Sequence, residues 1–276
     1  MHALHNLRLL IATAALLLPA GAAFAQPAEK PFEPTSGQPG KDVVWVPTPQ
    51  ALVDKMLDIA KVTASDTVFD LGSGDGRTVI TAAKRGARAT GIEYNPDMVE
   101  LSKMNAAKEG VSGKATFMKA DLFETDFSQA TVITMFLLPD INLKLRPKIL
   151  DLKPGTRIVS NTFTMGEWKD DETATIAEKD GCSYYCTAHL WIVPAKVAGI
   201  WRFAQGELTL KQEFQMVQGT LKSGANAVPI SKAKLRADQF SFSAGGAEYS
   251  GRVNGASIEG TVTTGGNATK WSAARR

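Results

Sequence analysis

A strand-like run, a glycine-rich loop and the start of a helix follow one another directly in this chain. Thr67-Val-Phe-Asp70 favours a strand, Leu71-Gly-Ser-Gly-Asp-Gly76 supplies three glycines, and residues 77–84 can continue as a helix. Glycines let a backbone approach a ligand where a Cβ would clash. The helix N-terminus adds free N–H groups and a positive dipole end. This segment predicts a ligand site at the edge of a parallel α/β sheet.

The loop's spacing and charge favour one kind of ligand. Gly72, Gly74 and Gly76 are spaced two and two, unlike the Gly-x-Gly-x-x-Gly dinucleotide fingerprint. Asp70 and Asp75 place negative charge where a pyrophosphate would lie. A ligand with a cationic amino group and no phosphate fits better, and S-adenosylmethionine (SAM) is such a ligand. The predicted cofactor-binding residues of this loop are Asp70, Gly72, Ser73, Gly74, Asp75 and Gly76.

The next two strand-like runs each end near an acid. Arg88-Ala-Thr-Gly-Ile-Glu93 places Glu93 where a carboxylate can accept both ribose hydroxyls of a nucleoside. Ala115 to Lys119 is followed by Asp121, which can bond an adenine amino group or cap a helix. Asn95-Pro96 predicts a helix start with Asn95 as the N-cap. Tyr94, Asn95 and Leu122 adjoin these acids and join the predicted cofactor-binding set.

An apolar run at residues 131–138 predicts a buried central strand. Phe136, Pro139 and Asp140 follow or end it and are the candidate catalytic residues of a methyl-transfer pocket. Asp140 would orient the substrate; alternatively, Phe136 is core and Asp140 caps the next helix. Further strands are predicted at residues 156–160, 173–179 and 184–193. His189 is interpreted as a packed strand residue rather than a base.

The first 25 residues have the pattern of a secretory signal peptide. Arg8 precedes a short apolar run that ends Ala23-Phe24-Ala25, which predicts cleavage after Ala25 and a periplasmic location. Residues 26–40 are a Pro/Gly-rich linker, and no later stretch is apolar enough to span a membrane. Cys182 and Cys186 could form a disulfide in an exported protein, but their close spacing needs a turn. With His189 they are too few for a zinc site, so no metal is predicted.

Residues 196–276 differ from residues 41–195. Short alternating runs, separated by turn signals at residues 224–226, 245–246, 254–255 and 265–267, predict an antiparallel barrel or sandwich of seven or eight strands. Residues 26–195 carry a net charge of −4 and residues 196–276 a net charge of +6. The basic module is either a soluble cationic surface or a docking face for an anionic partner. The overall charge of +3 is too weak to indicate nucleic acid.

Several of these motifs together resemble a known family. The runs VFDLGSGDGR, GIEYNP, ADLFE, FLLPD and LKPGTRIVSNTFTMGEW are similar to class I SAM-dependent methyltransferases. More narrowly, the chain resembles the group of protein-lysine methyltransferases that modify the c subunit of ATP synthase and the adenine nucleotide translocase. Bacterial chains of this group also begin with a VPTP segment, here Val46-Pro-Thr-Pro49. The resemblance covers about residues 43–195, and the mitochondrial relatives lack a basic β module.

The resemblance implies a seven-stranded Rossmann-like sheet, SAM held by Asp70, Gly72, Gly74, Glu93 and Asp121, and a protein lysine entering near Phe136 to Asp140. It also implies that Thr48 belongs to a lid over the SAM site, whereas from the residues alone Thr48 caps a helix that Pro49 begins. The main hypothesis is an exported methyltransferase acting on a protein amine. The alternative is a non-catalytic SAM- or nucleoside-binding module with an anionic partner; an oxidoreductase is disfavoured by the loop.

Overall fold

The computed structural model describes residues 32–204 and 206–276. The predicted signal peptide and residues 26–31 of the predicted linker lie outside these residues. The chain divides into two units, Met1–Glu33 and Pro34–Arg276, and both sheets belong to the second unit. None of the helices within the described ranges combines the length and the apolar character that a membrane crossing needs.

The first sheet has seven strands in the spatial order β3-β2-β1-β4-β5-β7-β6. The strands from β1 to β5 pair in parallel, and β7 runs antiparallel to both β5 and β6. The strands are β1 Thr67–Leu71, β2 Arg88–Glu93, β3 Ala115–Lys119, β4 Val132–Met135, β5 Arg157–Asn161, β6 Glu172–Thr175 and β7 Thr187–Ile192. This order confirms the predicted seven-stranded Rossmann-like sheet.

Helices cover both faces of this sheet. They are α1 Gln50–Ile59, α2 Arg77–Lys84, α3 Pro96–Lys108 and α4 Pro139–Leu150. The first three bury residues such as Leu52, Val79 and Val99 in one core cluster. Helix α4 buries Ile141, Leu145 and Ile149 in a second cluster with Trp168 and Trp191 on the other face. Asn95 caps α3 as predicted, accepting the Asp97 N–H at 2.9 Å.

The second sheet is a nearly closed, antiparallel, barrel-like sheet of nine strands, in the order β11-β10-β9-β8-β16-β15-β14-β13-β12. The strands are β8 Gly199–Phe203, β9 Gly206–Glu213, β10 Met216–Ser223, β11 Asn226–Pro229, β12 Ser231–Arg236, β13 Gln239–Ala244, β14 Ala247–Asn254, β15 Ser257–Thr264 and β16 Asn267–Arg275. Strands β11 and β12 are separated by one residue, Ile230. Strand β11 pairs with β10 and β12 pairs with β13, so they are the two edge strands of the sheet. The sheet thereby approaches closure around a core that contains Trp201, Phe240 and Trp271.

The antiparallel meander is confirmed, with nine strands where seven or eight are predicted. Lys234 and Arg236 lie exposed on β12, two residues apart and beyond the register shift that follows Ser231. The residues of a strand that are two apart share one face of its sheet. The docking of an anionic partner on this basic module stays a prediction.

Candidate functional site

A cleft of about 520 Å³ lies at the carboxyl ends of β1, β2 and β4. The glycine loop between β1 and α2 forms its floor. The N–H groups of Gly72 and Ser73 donate to the Ile92 carbonyl at 2.9 and 3.0 Å. Helix α3 fixes the same loop from the other side, because the Ser102 hydroxyl donates to the Gly74 carbonyl at 2.8 Å.

The loop can take this path only with glycine at its key positions. Gly72, Gly74 and Gly76 all have positive φ, at 79°, 55° and 83°. A Cβ on Gly74 would lie 2.5 Å from Nε1 of Trp45, which packs against the loop. A Cβ on Gly91, in β2, would lie 2.5 Å from the Ser73 hydroxyl. The loop is therefore packed against Trp45 and against β2 without room for a side chain at Gly74 or Gly91.

Glu93, at the end of β2, is held by two backbone donors. Its Oε2 accepts the Gly74 N–H and its Oε1 accepts the Asn95 N–H, both at 2.9 Å. Each carboxylate oxygen has a further lone pair available. Glu93 lines the cleft, so these lone pairs can accept two hydroxyl groups of a bound nucleoside.

Asp70, at the end of β1, is a buried carboxyl group that also lines the cleft. Burial raises the pKa of Asp70 to about 7, the charges of Glu93 and Asp75 raise it too, and a hydrogen bond from Thr134 opposes them. That bond joins Thr134 Oγ1 to Asp70 Oδ1 at 2.7 Å. A cation placed next to Asp70 would restore its negative charge by lowering its pKa.

The segment before α1 closes the other side of the cleft. Lys41 forms an ion pair with Asp121, and its Nζ lies 4.8 Å from the centroid of the Tyr94 ring. The hydrogen bond from Lys41 lowers the pKa of Asp121, as does the Phe123 N–H. Arg77 joins this segment to the glycine loop, since it donates to the Thr48 carbonyl at 2.9 Å and pairs with Asp75 at 2.5 Å.

Three aromatic rings stand at the end of the cleft that follows β4 and β5. Phe136, Phe163 and Tyr185 all line it. The Phe136 centroid lies 6.0 Å from that of Phe163 and 5.2 Å from that of Tyr185. Tyr185 belongs to a short loop closed by a disulfide between Cys182 and Cys186. The pair that the sequence left open is therefore bridged.

Most of the predicted site residues meet in this one cleft. Those that line it are Thr48, Asp70, Gly72, Ser73, Gly74, Asp75, Glu93, Tyr94, Asn95, Asp121, Leu122 and Phe136. Their roles toward a ligand stay predictions, but the tertiary structure brings them together as the strand-end rule requires. Thr48 is not a helix cap: α1 has Pro49 as its N-cap, and the Thr48 hydroxyl accepts from Asn161 at 3.3 Å.

Pro139, Asp140 and Gly76 are not among the residues that line the cleft. Pro139 and Asp140 form the exposed first turn of α4, because the chain turns into the helix directly after Leu138. An exposed carboxylate there interacts favourably with the helix dipole, and the roles of Pro139 and Asp140 toward a substrate stay predictions. Gly76 instead serves the turn into α2, as its N-cap. His189 lies on β7, where its Nδ1 is 2.9 Å from an Asp170 oxygen, and is also outside the cleft.

Comparison with known proteins decides the family. The model of the ANTKMT methyltransferase domain matches residues 70–172. A protein-lysine N-methyltransferase from Saccharolobus islandicus is 44% identical over 154 residues, which are 55% of this chain and 94% of the relative. This chain belongs to the protein-lysine N-methyltransferase family. It is a SAM-dependent methyltransferase.

Two further relatives give context. The crystal structure of an RNA methyltransferase from Salinibacter ruber in complex with S-adenosyl-L-homocysteine is 45% identical, with a TM-score of 0.51. It matches 55% of this chain and 96% of that one. The human lysine N-methyltransferase of the ATP synthase c subunit is 35% identical over 128 residues, which are 46% of this chain and 54% of the human protein. Since the Salinibacter ruber structure holds S-adenosyl-L-homocysteine, SAM is the cofactor of this methyltransferase.

The residues that line the cleft of this methyltransferase also fit SAM. The buried Ser73 hydroxyl faces the cleft without a hydrogen-bond partner in the protein, as expected where a ligand completes the site. Five carboxyl side chains line the cleft against two basic ones, a balance that favours a cationic ligand. The carboxyl side chains are those of Asp42, Asp70, Asp75, Glu93 and Asp121, and the basic ones those of Lys41 and Arg77.

Many other residues that line the cleft were not predicted from the sequence, among them Lys41, Trp45, Phe163 and Tyr185. Phe163 follows the end of β5, so the rule that ligands bind at the carboxyl ends of strands could have found it. Trp45 directly precedes the Val46-Pro-Thr-Pro49 segment. Lys41 and Tyr185 carry no local signal, because each reaches the cleft from a loop whose path is set by contacts distant in sequence.

Proposed function

We propose that this methyltransferase transfers a methyl group from SAM to the side-chain amine of a lysine in a protein. The observation that carries the proposal is the 44% identity to a protein-lysine N-methyltransferase across 94% of that protein's length. The names of the human and mouse relatives, which specify lysine in the ATP synthase c subunit and in the adenine nucleotide translocase, support the same acceptor chemistry. Neither of those proteins is proposed as the substrate here.

The residues of the cleft fit transfer to an amine. SAM supplies, when bound, a methyl group activated by a sulfonium. Glu93 and the glycine loop would hold the nucleoside and amino-acid parts, and Asp70 and Asp75 would face positive charge. Among the described residues that line the cleft there is no histidine. Alignment, desolvation and loss of a proton from the amine to solvent are sufficient for this chemistry, since desolvation lowers the pKa of an amine.

The test is transfer of labelled methyl from SAM. The purified chain lacking residues 1–25 is incubated with labelled SAM and, separately, with an envelope protein extract and with total RNA. Label on protein, removed by prior chemical blocking of lysines, is the expected result. Label confined to the RNA would overturn the lysine proposal in favour of the chemistry named for the Salinibacter ruber relative. Calorimetry with SAM, compared with Glu93→Ala, shows whether a failure to transfer reflects a failure to bind cofactor.

We further propose that the chain is exported to the periplasm with cleavage after Ala25. The pattern of residues 1–25 motivates this location. The Cys182–Cys186 bridge supports it, because disulfides persist in oxidising compartments. A reporter that is active only outside the cytoplasm, fused after residue 40, should be active, and the mature protein should begin at Gln26 by mass spectrometry. A silent reporter on a stably expressed fusion would overturn the proposal.

A further inference from the structure

The disulfide loop reaches the cleft by a single side chain. Its two tyrosines are neighbours but differ in position: Tyr184 is 81% exposed and lies outside the cleft, whereas Tyr185 lines it. Tyr185 has a φ of 57°, in the left-handed region that non-glycine residues rarely adopt. Such a conformation persists only when the surroundings impose it.

Two constraints impose this conformation. The Cys182–Cys186 bridge closes a ring of five residues, with a Cα–Cα distance of 5.7 Å, and anchors the loop at Cys182, which is buried. Beyond the loop, the Thr187 carbonyl accepts the Thr162 N–H at 2.6 Å. That bond joins the end of the loop to the turn that carries Phe163. The loop and the turn after β5 are therefore fixed to each other.

The Phe163 turn is held independently from α4. The side-chain amide of Asn142 donates to the carbonyls of Phe163 and Thr164 at 3.3 and 3.2 Å. Phe163 and Phe136 are thus set by the main sheet and its helix, and Tyr185 is added to them from outside. Its ring centroid lies 5.2 Å from that of Phe136 and 6.0 Å from that of Phe163. The three rings form a continuous wall, which we call the aromatic wall.

The chemistry of the aromatic wall matches a lysine side chain. Aromatic faces attract ammonium groups, and their apolar surface packs against the methylene stem. The wall lies at the end of the cleft after β4 and β5, whereas Glu93 and Asp121 lie after β2 and β3. A cofactor held by Glu93 and the glycine loop leaves the aromatic wall to the methyl acceptor.

We propose that Tyr185 is a residue of the acceptor site, and that the Cys182–Cys186 disulfide holds it there. The aromatic wall binds the side chain of the acceptor lysine, and Tyr185 supplies its outer part. Reduction of the disulfide frees the loop, so the acceptor binds less tightly while SAM binding is unchanged. This inference rests on the proposed function, because the wall needs an amine acceptor to act on.

Matched variants separate this role from a merely structural one. Tyr185→Ala removes the ring from the wall, Tyr185→Phe keeps it, and Tyr184→Ala is the neighbouring control outside the cleft. A Cys182→Ser/Cys186→Ser double variant keeps Tyr185 and releases the loop. The measurements are the KM and kcat for a decapeptide with one central lysine, and the Kd of SAM by calorimetry.

Tyr185→Ala and the double variant should raise the KM for the peptide at least fivefold, with the Kd of SAM within twofold of the wild type. Tyr185→Phe and Tyr184→Ala should keep the wild-type KM, and a reducing agent should reproduce the double variant. An unchanged KM in Tyr185→Ala would overturn the proposal. So would an equal rise in Tyr184→Ala, or a loss of SAM binding in parallel with the loss of acceptor binding.

A second measurement does not require turnover. Nα-acetyl-lysine methylamide is titrated into the protein loaded with S-adenosyl-L-homocysteine, and the ring resonances of Tyr185 and Phe136 are followed by NMR. These resonances should shift, and the norleucine analogue should shift them less. Absent shifts would overturn the role of the wall. Wild-type protein that methylates no protein lysine would instead remove the proposed function, and this titration would still decide whether the wall binds the amine.

Discussion

At the residue scale, two carboxyl groups of the cleft have opposite environments. Asp70 is buried and held by one hydroxyl, whereas Glu93 is held by two backbone N–H groups at the border of the cleft. Hydrogen bonds from backbone donors stabilise a carboxylate, and burial destabilises it. Asp70 and Glu93 are both acids at strand ends in the sequence, but their environments lead us to expect different effects of replacing them.

The first prediction concerns Asp70 and pH. Its folded-state pKa of about 7 lies above the ordinary 3.8, so the protonated group favours the native state. Its contribution is fully present below about pH 3.8 and is lost as the pH rises through about 7, at a cost on the order of a few kcal/mol. Asp70→Asn avoids this loss. The cofactor-free variant should therefore gain melting temperature over the wild type at pH 8 but not at pH 4.5.

The control for this prediction is Asp66→Asn. Asp66 is also buried, but although burial raises its pKa, hydrogen bonds from Thr131 and the Thr63 N–H and the ion pair with Arg157 lower it overall, so its replacement should lower the melting temperature at pH 8. A difference between Asp70→Asn and the wild type that is the same at both pH values would contradict the assignment of the raised pKa to Asp70.

The second prediction concerns Glu93 and the cofactor. Glu93→Ala removes the acceptor of the Gly74 and Asn95 N–H groups and the carboxylate that is predicted to accept the ribose hydroxyls. Hydrogen bonds to a charged group contribute about 1.5–3 kcal/mol each, so losing the two predicted bonds to the ribose should weaken SAM binding by roughly two to four orders of magnitude. Calorimetry measures this change. Glu100→Ala, on the exposed side of α3, is the control and should bind SAM like the wild type; equal affinities for both variants would be evidence against the site.

At the scale of elements, the glycine loop is defined by its neighbours as much as by its own residues. Gly76 is the N-cap of α2 with a φ of 83°. An added Cβ there would lie 2.7 Å from the Phe117 ring of β3 and 2.9 Å from Cβ of Ser102 on α3. The absence of a side chain allows one loop to be packed between a strand and a helix.

The third prediction follows from that packing. Gly76→Ala adds both backbone strain and overpacking and should lower the free energy of unfolding by roughly 2–4 kcal/mol. Gly110→Ala is a matched control, because Gly110 also has positive φ, at 68°, but a Cβ there meets nothing within 4 Å. It should cost only about 1 kcal/mol. Urea denaturation measures both, and equal losses would show that packing against Phe117 does not restrict the loop.

At the scale of the whole molecule, the barrel-like sheet docks on the methyltransferase sheet through the turn between β9 and β10. The ring of Phe214 stacks on Trp168 with centroids 6.0 Å apart, and Arg146 lies 5.3 Å from its centroid. Beside it, the Gln215 side chain donates to the Lys169 carbonyl at 2.8 Å. The aromatic contact extends the core of one sheet toward the other.

The fourth prediction is that Phe214 couples the two sheets. Phe214→Ala removes the stacked ring, so the two sheets should unfold at different temperatures. We expect two thermal transitions, or faster proteolysis between residues 195 and 199. Met216→Ala, at a 64% exposed position on β10, should behave like the wild type. A single unaltered transition in Phe214→Ala, with unchanged proteolysis, would mean that the remaining contacts suffice for coupling.

Several strands of the first sheet could be predicted from the sequence with their correct bounds. Residues 88–93 and 115–119 are strands as predicted, because each is a short β-favouring run that ends at a turn signal. The central strand is shorter than predicted, Val132–Met135 rather than 131–138, because its carboxyl end opens into the cleft before α4 begins. The barrel-like sheet has a ninth strand because the chain divides at Ile230 into β11 and β12. The local sequence pattern does not show this division.

The sequence by itself determined the parallel sheet, the glycine loop and the line of strand-end residues from Asp70 through Glu93 to Asp121. These depend on periodicity, on glycine conformation and on the rule that parallel strands end at one edge, all of which are local or topological. Tertiary structure alone decided that Asp140 lies outside the cleft and that Tyr185 lies inside it. Which side chain enters a cleft depends on helix direction, on a disulfide and on packing between segments distant in sequence, and these contacts exist only once the chain has folded.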